Sequence, residues 1–196
     1  MKKEVKYYGI AIAGVYVNSI NCNKITGKNI KGKVSYNPET KTLTLNNAII
    51  DGNIGFYGVV DITITPVGEN IMAGYIESVS GTKTINGTGS LKASYIDCYD
   101  KTLIENCTIE IVADTVGYEW GTHGPDSKLT IKNANLSSEA FEVAIGSFKD
   151  IELIGCEIVE PANAQIIDNE FDGEKGKYIC DGDGNIAEKV VIKSVK

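Results

Sequence analysis

The chain has 196 residues, with 19 basic against 26 acidic side chains and a formal charge of −7 at pH 7. That length is one domain able to bury a real core, and the acidic balance argues against a nucleic-acid or anionic-membrane surface. Every basic residue is a lysine. Without arginine the chain lacks the best bidentate clamp for phosphate or carboxylate, and a single histidine, His123, with a single tryptophan, Trp120, leaves few parts for a catalytic constellation.

The N-terminus begins with basic Met1-Lys2-Lys3 and an apolar stretch from Gly9 to Val17. The stretch is short, Glu4 interrupts the basic run and Asn18 comes directly after it, so an edge strand alternating Tyr8, Ile10 and Ile12 fits better than a signal peptide. No run reaches the length of a membrane span. Val34 to Leu43 reads as an antiparallel hairpin turning at Asn37-Pro38. It is expected to pair with the Tyr8–Val17 strand and to cover the first of a series of repeats.

Six segments make up that series, each an alternation of polar and apolar residues that ends in Asn or Gly. They centre on Leu45, Ile64, Ile85, Ile104, Ile131 and Leu153, and subtraction spaces them at 19, 21, 19, 27 and 22 residues. Period-two alternation marks strands with one buried face, and strands recurring every ~20 residues mark a stacked coil. Two residues past five of the six centres stand Asn47, Gly87, Asn106, Asn133 and Gly155, residue types that tolerate positive φ. The next column, Ala48, Thr88, Cys107, Ala134 and Cys156, is small, as a tight corner needs. Apolar residues then return at Ile50, Ile109, Leu136 and Ile158. The second repeat carries Pro66-Val67-Gly68-Glu69-Asn70 at its corner, where an altered bend is expected. A β-sandwich would give such a bend column no reason to recur. Ser137–Gly146 is the clearest helical window and also reads as strand. Tyr178–Cys180 and Val190–Ile192 signal a closing hairpin around Asp181-Gly182-Asp183-Gly184-Asn185. The expected fold is all-β: one right-handed parallel β-helix of about six rungs, with an N-terminal cap over 1–42, rungs over 43–168 and a C-terminal cap over 169–196.

The run from Val34 through Tyr36-Asn37-Pro38-Glu39-Thr40 to Asn47-Ala48, with the rung motif apolar-Thr-apolar-x-Asn-Ala, resembles a repeat domain common in surface proteins of gut anaerobes. These domains are similar to right-handed parallel β-helices of the pectate-lyase type, relatives of which bind acidic plant polysaccharide without cleaving it. The resemblance implies the fold, a carbohydrate-binding or adhesive role, and an extracellular or cell-surface location. Its partners would be a glycan or a host or bacterial surface protein, with no nucleic acid and no membrane insertion. A structural or protein-interaction solenoid without a small-molecule ligand is the alternative, and a degenerate polysaccharide lyase or hydrolase a third.

Catalysis is not expected. Lyases of this type use an arginine or lysine base beside calcium-binding acids. Of the polygalacturonase-like motifs only Gly121-Thr122-His123-Gly124 offers an echo, without an Asp-Asp pair or a basic motif. The surplus of the long fourth repeat runs from Asp114 to Asp126 and holds Tyr118, Trp120 and His123. Flat aromatics beside carboxylates suit sugar rings and their hydroxyls, so Asp114, Tyr118, Trp120, His123 and Asp126 are candidate ligand contacts, unless the loop folds onto the rod and Trp120 covers its core. Tyr57, Tyr75, Tyr95, Tyr118 and Phe141 form a candidate aromatic column, either a stabilising ladder or a glycan platform, which adds Tyr75 and Tyr95 to the candidates. Asp181–Asn185 begins like a calcium loop, but Ile186 and Ile192 occupy the glycine and bidentate-glutamate positions, so a turn is expected and no cofactor. The five cysteines are odd in number, widely spaced and without CxxC, which disfavours a disulfide framework or zinc site.

Overall fold

The computed structural model describes residues 4–58, 61–78, 80–98, 100–113, 120–123 and 127–195, with the backbone alone at Trp120, Gly121 and His123. Twenty-two strands, β1 to β22 along the chain, account for the regular structure, and no helix occurs among the described residues. The chain is a β-solenoid, and three columns of strands build its walls.

The first wall stacks β4 (Thr42–Ile50), β6 (Ile62–Val67), β9 (Thr82–Asn86), β12 (Lys101–Glu105), β15 (Lys128–Lys132) and β18 (Asp150–Ile154) in parallel. Leu43, Ile64, Ile85, Ile104, Ile131 and Leu153 lie level, one above another. The first five of these are at most 1% exposed, as alternating strands with one inward face require. The second wall runs from the end of β4 through β7 (Glu69–Met72), β10 (Ser90–Ala93), β13 (Thr108–Val112) and β16 (Asn135–Glu139). Asn70, Leu91, Ile109 and Leu136 are level there. The third wall holds shorter strands: β5 (Ile54–Phe56), β8 (Ile76–Ser78), β11 (Ile96–Asp97), β14 (Trp120–His123) and β17 (Val143–Gly146). Ile54, Ile76, Ile96, Thr122 and Ile145 line up in it. Complete turns number about five, one fewer than the six rungs expected. The sixth strand of the first wall, β18, leads into a cap and not into another third-wall strand.

The corner between the first two walls depends on positive φ, as expected, but its position shifts. Leu43, not Leu45, is level with Ile64, and Leu45 is level with Pro66. The first two rungs therefore run two residues longer and turn at Asn47 (φ 48°) and Gly68 (φ 66°), while the later ones turn at Asn106 (57°), Asn133 (46°) and Gly155 (60°). Gly87 is absent from the positive-φ set, contrary to the expectation from sequence. Its rung is where the long corner becomes short. A Cβ on Gly87 would fall on the Pro66 carbonyl oxygen, and one on Gly89 on the Gly68 carbonyl oxygen. Glycine serves close approach there. At the same step Asn70, 2% exposed, occupies an inward position. Its Oδ1 accepts the Ala48 N–H at 2.9 Å, and its Nδ2 donates to the Ser90 carbonyl at 3.0 Å. These bonds satisfy groups that the change of corner would otherwise leave buried and bare.

Both caps depart from the expected pairing. β3 (Ile30–Asn37) folds back on β4 across the Asn37–Thr42 turn as expected. The strand expected to pair with it does not: β1 (Tyr7–Ile12) forms its own hairpin with β2 (Val15–Asn18) and lies antiparallel on β5, closing the third wall. At the other end β19 (Cys156–Glu160) does not stack on β16. The last strand, β22 (Lys189–Ser194), is antiparallel to both and lies between them, with Ile192 opposite Leu136 on one side and Ile158 on the other. The expected pairing of Tyr178–Cys180 with Val190–Ile192 is likewise replaced. β21 (Glu174–Cys180) pairs with β20 (Gln165–Phe171) in a hairpin, whose buried Tyr178 and Cys180 pack on Val143 of β17. The Ser137–Gly146 window is strand, divided between β16 and β17. Asp181 closes a turn, its Oδ1 accepting the N–H groups of Asp183 and Asn185, each at 2.9 Å.

Candidate functional site

Strand parity gives the third wall two outward rows, because Ile54, Ile76 and Ile96 point into the core. The row one residue before them holds Asn53, Tyr75, Tyr95 and Ala144, and the row one residue after holds Gly55, Glu77, Asp97 and Gly146. An aromatic row and a carboxylate row therefore run side by side along the rod. Tyr75 and Tyr95 stack with ring centroids 4.5 Å apart and an interplanar angle of 17°, the separation that neighbouring parallel strands impose. The Tyr75 N–H donates to Asn53 Oδ1 at 3.2 Å, extending the row by one rung.

At its N-terminal end this face opens into a groove of about 390 Å³ lined by Ala11, Tyr16, Asn29, Asp51, Asn53 and Tyr57, over a floor that includes Gly14, Gly52 and Gly55. Tyr16 is 64% exposed and Tyr57 48%. The Tyr57 ring lies across Gly55, where a Cβ would collide with it, so glycine is what lets the ring lie flat. Burial, followed by the neighbouring Glu77 and then Tyr16, raises the Tyr57 hydroxyl above its ordinary pKa. At the C-terminal end the β20–β21 hairpin covers β17, with the Tyr178 ring against Gly146.

Beneath the carboxylate row lies a group not anticipated from sequence. Ile62, Lys83, Thr102, Leu129 and Ile151 occupy one inward column, and Lys83 is 2% exposed. Its Nζ donates to the Gly81 carbonyl at 3.3 Å, while Asp100 Oδ2 accepts the Gly81 N–H at 2.5 Å. Burial lowers the Lys83 pKa, and the charges of Cys98, Asp97 and Asp100 oppose that shift. Asp97 is pushed up to about 6, chiefly by burial; Lys83 pulls it down and Glu77 adds to the rise. A buried column of Ile, Leu and Thr that admits one lysine shows a charge held under the surface at a cost. The signal is present in the sequence: Lys83-Thr84-Ile85 sits where Ile62-Thr63-Ile64 and Leu129-Thr130-Ile131 sit. Cys98 and Cys107 are both pushed up to about 12 by burial and all five cysteines are free thiols. A buried thiol held in its protonated form is a poor nucleophile.

Among the sequence candidates, Tyr75 and Tyr95 form the stacked pair. Trp120 and His123 bound β14 in the same wall, His123 level with Asp97. Asp114, Tyr118 and Asp126 lie outside the described residues. Among the described residues the expected aromatic column shows one stacked pair, Tyr75 and Tyr95. Tyr57 falls two residues past Gly55 and off the row, and Phe141, 74% exposed, precedes β17 and misses it. Glu77, Tyr16 and Asp51 were not anticipated, because nothing local in their segments shows that successive rungs bring them to one face.

Among the described residues no group of three or more His, Cys, Asp or Glu gathers in a geometry fit for a metal ion, and no helix is long and apolar enough to cross a membrane. No family model, no curated protein and no solved structure matches this chain.

Proposed function

We propose that this chain is a non-catalytic carbohydrate-binding module and that the outer face of its third wall is the binding surface. The observation that carries this reading is the pairing of rows: stacked Tyr75 and Tyr95 beside Glu77 and Asp97, running out of a groove floored by glycine and bounded by the exposed Tyr16 and Tyr57. Tyrosine rings offer flat apolar area to the C–H face of a sugar. Carboxylates and asparagine amides beside them exchange hydrogen bonds with its hydroxyls. Shallow sites of this kind hold extended chains by a few aromatic platforms.

The test is a glycan array followed by calorimetry on the hits. Tyr57→Ala and Tyr95→Ala are each expected to weaken binding about tenfold or more, while Phe141→Ala, an exposed aromatic off the rows, leaves it unchanged. Absence of any glycan binding by the wild-type chain would sink the reading in favour of a structural or protein-interaction solenoid.

A further inference from the structure

The composition of the face narrows the class of glycan. We infer that its ligand is an uncharged, hydroxyl-rich glycan lying along the rod axis, and that polyuronates and other anionic chains are excluded. The inference rests on the carbohydrate-binding reading and specifies its substrate.

Charge decides the first part. The outward rows contain Glu77 and Asp97, and the groove adds Asp51, whereas neither row nor groove contains a lysine among the described residues. Arginine, the side chain suited to a uronate carboxylate, is absent from the whole protein. Lys83, the lysine whose charge acts on Asp97, points into the core and is 2% exposed, so it cannot reach a ligand on the surface. A uronate here would meet carboxylates at close range, in the field of a chain carrying −7. Lys83 also accounts for the preference for neutral over cationic ligands. It sits beneath Asp97 and offsets its charge from inside, leaving Asp97 as an oriented hydrogen-bond acceptor and not as a bare counter-ion. Hydroxyl donors satisfy such an acceptor without bringing charge.

Spacing decides the orientation. Along the axis the same residue positions recur at every strand, about 4.8 Å apart, so a chain crossing the rungs meets equivalent acceptors and rings at regular intervals. A chain parallel to a strand would meet only two or three outward positions, because the third-wall strands are two to four residues long. The berth is finite. From Gly55 under the Tyr57 ring to Gly146 under Tyr178 is four strand intervals, on the order of 19 Å, and the β20–β21 hairpin closes the far end.

The test titrates the intact protein with three probes of equal length: a cello- or xylo-oligosaccharide, an oligogalacturonate and a chitosan oligosaccharide, each at low and at physiological salt. The neutral probe is expected to bind with an affinity nearly independent of salt, and the galacturonate to bind at least about tenfold more weakly. Glu77→Gln should narrow that gap by improving the anionic arm. The inference is overturned if the galacturonate equals or exceeds the neutral probe. It is overturned equally if chitosan binds best with an affinity that collapses as salt is raised. In both cases the carbohydrate-binding reading survives. Binding of none of the three, together with a blank glycan array, overturns the parent reading itself, so the two failures are distinguishable.

Discussion

The first and second walls and the third wall share one core, one strand spacing and one rung register, yet their outer surfaces differ. On the first two, opposite charges form ion pairs across rungs. Lys128 Nζ reaches Asp150 at 3.1 Å and Glu152 at 2.9 Å, Lys132 reaches Glu105 at 3.5 Å, and Lys92 reaches Glu110 at 2.7 Å. That is a solvated surface on which opposite charges meet across rungs. The described outer rows of the third wall set tyrosines and carboxylates beside glycine without a lysine in line, and Lys83, the lysine beside them, is turned inward. Stacking carboxylates on adjacent rungs without a balancing charge works against stability. The wall on which charge is left unpaired is the one proposed above as the glycan-binding surface.

Substitutions can break or sharpen that contrast, in descending order of effect. Ile131→Ala empties a fully buried position of the shared core and is expected to cost ~2–5 kcal/mol, read as a large drop in the urea midpoint. An unchanged midpoint would show that the first wall does not carry the core. Lys83→Leu combined with Asp97→Asn removes the buried charge of the third wall and restores the apolar column. It is expected to stabilise the fold by ~1–4 kcal/mol while weakening glycan binding; loss of stability would mean the pair is structural support.

The Asp97 carboxyl makes the same contrast pH-dependent. Its folded value of about 6 lies above the ~3.9 of an unfolded chain. The folded state therefore holds an extra proton between those values. The associated stability is complete below about pH 4 and lost as pH rises through 6, on the order of 2 kcal/mol once solvent screening of this part-buried group is discounted. The groups that act on this carboxyl are Lys83, Glu77 and Cys98, and Asp100 acts in turn on Lys83. Melting temperatures of wild type and Asp97→Asn should diverge progressively from pH 4 to pH 7, and parallel curves would refute the assignment. Asn106→Val forces a β-branched residue to a φ of 57° and is expected to cost ~1–2 kcal/mol, whereas Asn106→Gly should be nearly neutral in the same melt. The smallest effect belongs to the balanced walls. Lys92→Ala breaks a half-exposed pair and should change stability by under about 0.5 kcal/mol, and a larger loss would show that those surface ladders do more than solvate.

The rungs are legible in sequence because each repeats a local signal: period-two alternation leading to Asn or Gly at a left-handed corner. The expected centre lies two residues off at Leu45 because Leu43 and Leu45 both point inward in a long first rung, and only the partner strand shows which of them meets Ile64. The caps differ from expectation for a related reason. An apolar strand such as β1 or β22 carries no mark of which edge it will cover, and edge choice is settled by what remains unpaired once the stack has formed. The stacked Tyr75 and Tyr95 could be proposed from spacing, while the level placement of Glu77 beside Asp97 could not.

Composition and pattern were enough for an all-β coil with asparagine corners, because backbone preference and alternation act within a few residues of their cause. Which residues share the outer face of the third wall, where Lys83 points, and how β22 inserts between β16 and β19 are matters of register between segments some twenty residues or more apart. Only assembly of the whole stack brings those segments within reach of one another, so only the assembled stack fixes them.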